Sequence, residues 1–274
     1  MSHDACESLV RDNDRDRWAT ARLAPPPASA RLFALYAFNL EVARIPSVVS
    51  EPMLGEIRLQ WWRDALAEIH DGAVPRRHEV VEPLAEAISA AALPRDLFEA
   101  LLDARSYDAH GPAIGDRALF DAYVDGTAGA LMRLAARICA GGAMSEPDDR
   151  AARLAGWAGG AAALIRALPA LYARGGDPIP TEAELDRNTL AEGVTPEPLR
   201  EALRGIAADG LAKLAEARTL RPSAEIRPAL LAAWRAGETL RPAARPGFEV
   251  FRQAPPSEFV RRGGLLRRVF FGGL

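Results

Sequence analysis

Asp121 and Asp125 are carboxylates four residues apart in a stretch of helical periodicity, so a single helix face would carry both. Carboxylates held this way can grip divalent magnesium and bridge it to substrate phosphates. The same spacing arises on a solvated face near a helix start, where the helix dipole favours acids, and that plainer reading is preferred. Asp12, Asp14 and Asp16 imitate the opening of a calcium-binding loop, but Arg17 stands where glycine is needed and Leu23 where a bidentate acid is needed. A polar helix face accounts better for these three.

Cys6 and Cys139 are far apart and lack CxxC spacing, which fits a reducing compartment and excludes a disulfide framework or a thiolate zinc site. His3, His70, His78 and His110 are equally scattered. Lys+Arg 34 against Asp+Glu 37 gives a formal charge of -3, so the overall balance implies no nucleic-acid surface. The opening MSHDACESLVRDNDRDRW is polar and acidic where a signal peptide needs a basic start and an apolar run. No stretch is expected to supply the roughly 20 apolar residues of a membrane span, so the expected location is cytoplasmic, with peripheral contact at an inner membrane.

Helices must position these groups. Apolar residues recur at three- and four-residue spacing almost throughout, while alternating β-branched runs are nearly absent, so the chain reads as all-α. With 274 residues, 49% of them hydrophobic, it can bury a full core, and no long linker or fixed-period repeat divides it. The punctuation predicts a helix over 4–23 ended by Pro25-Pro26-Pro27, a second over 28–45 stopped by Pro46, and a third running to Ile69 from an N-cap at Ser50 with Pro52 in its first turn. Further helices are expected over 83–91, 95–109, 117–140, 146–173, 196–220 and 228–240. Gly111-Pro112, Gly141-Gly142, Gly175-Gly176-Asp177-Pro178 and Arg221-Pro222 read as loops. In the third helix Trp61 and Trp62 point to adjacent faces, so one faces the core while the other covers a neighbouring helix or a cavity.

Leu35, Tyr36, Ala37 and Phe38 stand in a frame that resembles the first diagnostic helix of the squalene/phytoene synthase family, LYAFCR followed two residues later by DDxxDE. The family's three aspartates fall here on Ala43, Arg44 and Ser47. Its second motif, QLxNILRDxxED and then RGRxYLP, is similar to the stretch 161–180, where Leu164, Ile165 and Arg166 keep the frame but Ala167 and Leu171 occupy acidic positions. Arg174 and Pro180 echo the closing motif, and AYVDGTAGALM over 122–132 resembles the family's YVAGTVGLM helix. The resemblance runs in order from about Asp14 to Pro180 and is weak beyond it.

A noncatalytic branch of that family, whose mitochondrial members assist assembly of respiratory complex I, also lacks the aspartates. It keeps the pattern AFNxELAxxxxxVSExxxGxxRxQxW, which Ala37, Phe38, Asn39, Glu41, Val49, Ser50, Glu51, Gly55, Arg58, Gln60 and Trp62 match. The resemblance implies an all-α, single-domain isoprenoid synthase-type helical bundle around a central cavity, over 1–257. It implies a noncatalytic assembly factor with a respiratory complex subunit as its protein partner and no cofactor. Two alternatives stay open: an active head-to-head prenyl transferase with an altered magnesium site, and a module binding an isoprenoid or quinone tail. A continuous apolar cavity between the Tyr36, Trp61, Tyr123 and Leu164 helices would favour the last. Candidate cavity or ligand-contacting residues are Tyr36, Asn39, Glu41, Gln60, Trp61, Tyr123, Asp125 and Arg166, the last as an anion contact or a partner for Glu41. Over 258–274 the paired arginines 261–262 and 267–268 alternate with Leu265, Leu266, Val269, Phe270 and Phe271, a basic amphipathic tail that suits an anionic membrane or docks on the domain.

Overall fold

The computed structural model describes residues 2–49, 51–110, 114–254 and 257–271. Among them are fifteen α-helices and no strand: α1 Ser2–Asn13, α2 Arg15–Ala21, α3 Pro26–Ala43, α4 Ile45–Val48, α5 Pro52–His70, α6 Val81–Ala91, α7 Arg95–His110, α8 Arg117–Val124, α9 Ala130–Ala140, α10 Glu146–Ala173, α11 Arg187–Ala191, α12 Glu197–Thr219, α13 Arg227–Leu230, α14 Ala236–Ala243 and α15 Glu258–Phe271. Short helical turns join some of them, notably a π-helical turn at Asp125–Gly129 between α8 and α9.

The bundle is organised around α10. It is long and apolar enough by composition to cross a membrane, contrary to the sequence expectation, yet here it is a core helix packed by α9, α12, α14 and the π turn. Small residues permit that crowding. A Cβ on Gly156 would stand 2.7 Å from the Ala128 carbonyl oxygen and 2.7 Å from the Met132 Cβ, so only glycine lets α10 lie this close to the π turn and α9. On the other side Phe38 packs edge-on against Trp62 at 5.1 Å and Phe98 at 5.5 Å, which joins α3, α5 and α7. Trp62 is buried; Trp61 covers Arg76 and His78 instead.

Several predicted boundaries move for local reasons. The helix expected over 4–23 breaks at Asp14, whose carboxylate accepts the Arg17 amide at 2.9 Å and caps α2. Pro46 does not simply stop α3: it sits in the first turn of α4, where a missing N–H costs nothing. Glu51 occupies the N-cap position of α5; the cap expected at Ser50 and the loop at Gly111-Pro112 lie outside the described residues. The span 117–140 carries the π turn, and 228–240 divides into α13, a 3-10 turn at Leu231–Ala233 and α14. α11 and the 3-10 turn Val250–Arg252 were not expected. Tertiary bonds hold that corner: Thr195 Oγ1 accepts the Val250 amide at 3.0 Å, and Arg200 reaches Glu249 at 2.6 Å.

The tail expected to be amphipathic is the helix α15, and it docks on the domain. Arg261 pairs with Asp16 at 2.9 Å, Gly264 faces the Trp234 ring, and Arg227 donates to the Arg268 and Val269 carbonyls at 3.1 and 2.8 Å.

Candidate functional site

α3 and α4 face the C-terminal half of α10 across a cavity of about 590 Å³. Asn39, Leu40, Ala43 and Ser47 line one wall, and Leu164, Ala167, Leu171 and Arg174 line the opposite one. Tyr107 of α7 and Tyr123, Thr127 and Leu131 from the α8–α9 region complete it. Four of the five positions where the resemblance expects acidic groups, Ala43, Ser47, Ala167 and Leu171, therefore converge on one space, while the fifth, Arg44, turns to Glu41. Small residues shape that space: Ala163 presents little bulk from α10, and Gly160 lets the π turn close on α10, since a Cβ there would stand 2.5 Å from the Ala128 Cβ.

Among the described residues the one carboxylate in the cavity lining is Asp108, and it is engaged. Arg105 Nη1 donates to it at 2.8 Å, the Tyr123 hydroxyl donates to it at 2.9 Å, and the same Arg105 nitrogen reaches the Tyr123 oxygen at 3.1 Å. Burial works to lower the pKa of Arg105, but its interactions with Tyr123 and Asp108 outweigh it and the net shift is upward. Burial likewise pushes the Tyr123 hydroxyl up to about 12. Three other polar groups in the lining lack protein partners among the described residues: the amide of Asn39, which is only 5% exposed, the hydroxyl of the exposed Tyr107 and the guanidinium of Arg174. A buried amide without a protein bond costs free energy unless water or a ligand completes it. Among the described residues no cluster of three His, Cys, Asp or Glu side chains can hold a metal ion.

A smaller recess of about 110 Å³ adjoins the first and shares Arg17, Ala128, Leu131, Gly160 and Ala163 with it. Its polar wall consists of Asp14, Asp16, Arg17, Tyr36, Arg166 and Arg235. Asp16 is held twice, by Arg235 at 3.1 Å and by Arg261 of α15. Arg17 pairs with Asp14 at 3.0 Å and lies over the Tyr36 ring. Arg166 faces water in the recess but is ringed by protein, and this desolvation, with Arg235 close by, pushes its pKa down to about 10. Its Nη1 donates to Thr239 Oγ1 at 2.8 Å.

Half of the candidate residues named from the sequence meet at these spaces. Asn39 and Tyr123 line the larger cavity; Tyr36 and Arg166 line the recess. The other four do not. Glu41 turns to Arg44, so it is not the partner of Arg166, and Gln60 bonds Asp64 at 2.7 Å on an exposed face. Trp61 packs under Arg76, because its face of α5 points away from α3, and α7 takes the place that α5 was expected to have in the cavity wall. Asp125 is clasped by Arg153 at 2.7 Å, and its neighbour Asp121 by Arg117 at 3.0 Å, so the two carboxylates serve separate ion pairs rather than one cation. Asp12, Asp14 and Asp16 likewise serve as an ion-pair partner, a helix cap and a clamp.

Sequence reasoning passed over Arg17, Arg105, Tyr107, Asp108 and Arg174 as lining groups. The Arg105–Asp108 spacing signals a helix-surface ion pair, but nothing local brings Tyr123 to it.

A family model described as squalene/phytoene synthase matches residues 10–261, which carries the likeness well past Pro180. Among curated relatives, the mouse (Mus musculus) "NADH dehydrogenase (ubiquinone) complex I, assembly factor 6" is 25% identical over 256 residues, 91% of this chain and 76% of the relative. The human (Homo sapiens) counterpart is 27% identical over 60% of this chain, a match that spans about half of the relative, 48%. A presqualene diphosphate synthase of Rhodopseudomonas palustris is 31% identical over 44% of this chain and 43% of its own length. Among solved structures, a dehydrosqualene synthase superposes with a TM-score of 0.82 at 17% identity, covering 98% of this chain and 96% of that one. A squalene synthase from Alicyclobacillus acidocaldarius gives 0.74 at 16% identity, covering 100% and 95%. These structural likenesses establish the isoprenoid synthase-type helical fold.

Proposed function

Because the chain belongs to the squalene/phytoene synthase family, we propose that it uses that family's helical scaffold without its chemistry, as an assembly factor for respiratory complex I. The observation that carries this reading is the cavity wall at Ala43, Ser47, Ala167 and Leu171, where facing side chains offer a single hydroxyl and no carboxylate. Asp108, the carboxylate that does line the space, is neutralised by Arg105 and hydrogen-bonded by Tyr123. A hard divalent cation needs several anionic or carbonyl oxygens, so this donor set does not fit magnesium, and no metal-assisted step follows from it. The likeness to complex I assembly factors over 91% of the chain supports the partner side of the proposal.

Two measurements test it. A cell lacking the gene should show reduced complex I activity and accumulated partial complexes; normal assembly there would overturn the proposal. Purified protein given farnesyl or geranylgeranyl diphosphate with magnesium should release no pyrophosphate beside an active family enzyme. Turnover would instead favour the reading as a prenyl transferase with an altered metal site.

A second reading has its own support. The apolar cavity is open, and the unpartnered Asn39 amide faces into it, which suits an elongated apolar molecule with a hydrogen-bonding head, such as an isoprenoid or quinone. Such a ligand is compatible with an assembly role, and would act there as a structural or sensing element. Saturable quenching of tryptophan fluorescence by a short-chain quinone, weakened by Asn39→Leu, would support it; indifference to both would count against it.

A further inference from the structure

The charge of this chain is unevenly placed. From Arg218 to the end it carries eleven arginines, no lysine and four glutamates, although the whole sequence has a formal charge of -3. The fold gathers part of this excess around α15. Arg227 bonds the carbonyls of its last turns, while Arg267, Arg241 and Arg218 all lie near enough to Arg268 to add, after burial, to the lowering of its pKa. Arg218, Arg227, Arg241 and Arg267 are exposed.

α15 is also two-sided. Arg261 and Gly264 face the domain, through Asp16 and Trp234, and Arg268 is half-buried with its Nε out of solvent while Arg227 bonds its main-chain carbonyl. Away from those contacts, Phe259 is 86% exposed and Val260 57% in the first turn, and Leu266, about two turns on, is 55% exposed, with the small Gly263 between. Large apolar side chains so fully in water, set beside a cluster of arginines, match an interface whose interior is apolar and whose rim is anionic.

We propose that the outward face of α15 docks on an anionic phospholipid bilayer, with Phe259, Val260 and Leu266 entering the headgroup boundary and the surrounding arginines meeting lipid phosphates. The helix stays docked on the domain while it does so, because the residues that hold it there lie on its other side. The bilayer is favoured over a second copy of the chain, since two such faces would bring their arginine clusters together. This proposal is independent of the complex I role.

The test is co-sedimentation of the full-length protein with phosphatidylcholine vesicles, with and without phosphatidylglycerol. The wild type should bind only the anionic vesicles and release them as salt is raised. The double variant Phe259→Ser, Leu266→Ser should weaken that binding about tenfold or more, as should Arg241→Gln with Arg267→Gln, each with an unchanged circular dichroism spectrum. No binding by the wild type, equal binding to neutral vesicles, or binding that both variants retain would each overturn it. So would self-association that the Phe259→Ser, Leu266→Ser variant abolishes while vesicle binding persists, because the face would then belong to a protein contact.

Discussion

Asp108 carries more than its own hydrogen bonds at the cavity wall. It neutralises Arg105, whose Nε is buried without a partner, and orients the Tyr123 hydroxyl. Asp108→Asn would keep the shape but leave the guanidinium without its counter-charge, and is expected to cost about 2 kcal/mol, read as a lower urea midpoint. An unchanged midpoint would mean that cavity water already solvates Arg105. The two thiols make a separate statement. Burial raises Cys6 from 9.0 to about 12, with Glu79 adding to it, and raises Cys139 from 9.0 to about 11. An unfolded chain loses these protons first, so this contribution to stability is complete below about pH 9 and falls as pH climbs toward 11 and 12. Tyr123, raised from 10.0 to about 12 by burial, acts in the same direction. Thermal melts should therefore drop steeply in alkali, and neither cysteine should react with iodoacetamide at neutral pH until the protein unfolds.

At the scale of elements, α10 depends on what its sequence omits. Gly156→Val would force a side chain into the Ala128 carbonyl and Met132, and is expected to cost about 3 kcal/mol in chemical denaturation while the helix itself gains propensity. A stability equal to wild type would show that α9 can move aside. The run of α10 over 146–173 was legible because Ser145 caps it, Pro147 suits its first turn and Gly175 ends it. Its neighbours were less so. The break at Asp14 goes with one side chain taking the Arg17 amide, and the π turn at Asp125–Gly129 lies where the chain packs closely against α10, neither of which periodicity records. The candidate site divides in the same way. Asn39, Tyr36, Tyr123 and Arg166 lie within motif-like segments, so resemblance reaches them, whereas Arg17, Tyr107 and Asp108 enter only through tertiary placement. Glu41, Gln60, Trp61 and Asp125 belong to pattern-matching or motif-like stretches too, but they sit on faces that the helices turn elsewhere.

In the molecule as a whole, α15 packs back on the region of α2. α15 covers the Trp234 ring and supplies Arg261 to Asp16, so truncation after Ser257 should lower the melting temperature by a few degrees and shift the tryptophan emission to the red. A truncated protein that melts with the wild type would show the helix to be only lightly held. The clamp on Asp16 also has a timetable. Its partners Arg235 and Arg261 follow it by 219 and 245 positions, so a ribosome adding about 5–20 residues each second exposes the N-terminal helices for about ten seconds or longer before either arginine exists. During that interval Asp16 has neither of its arginines. Arg235 then closes one side of the recess at Asp16, and the first turn of α15 adds the second clasp from outside it, so this corner of the molecule is built from segments far apart in the chain in two separate steps.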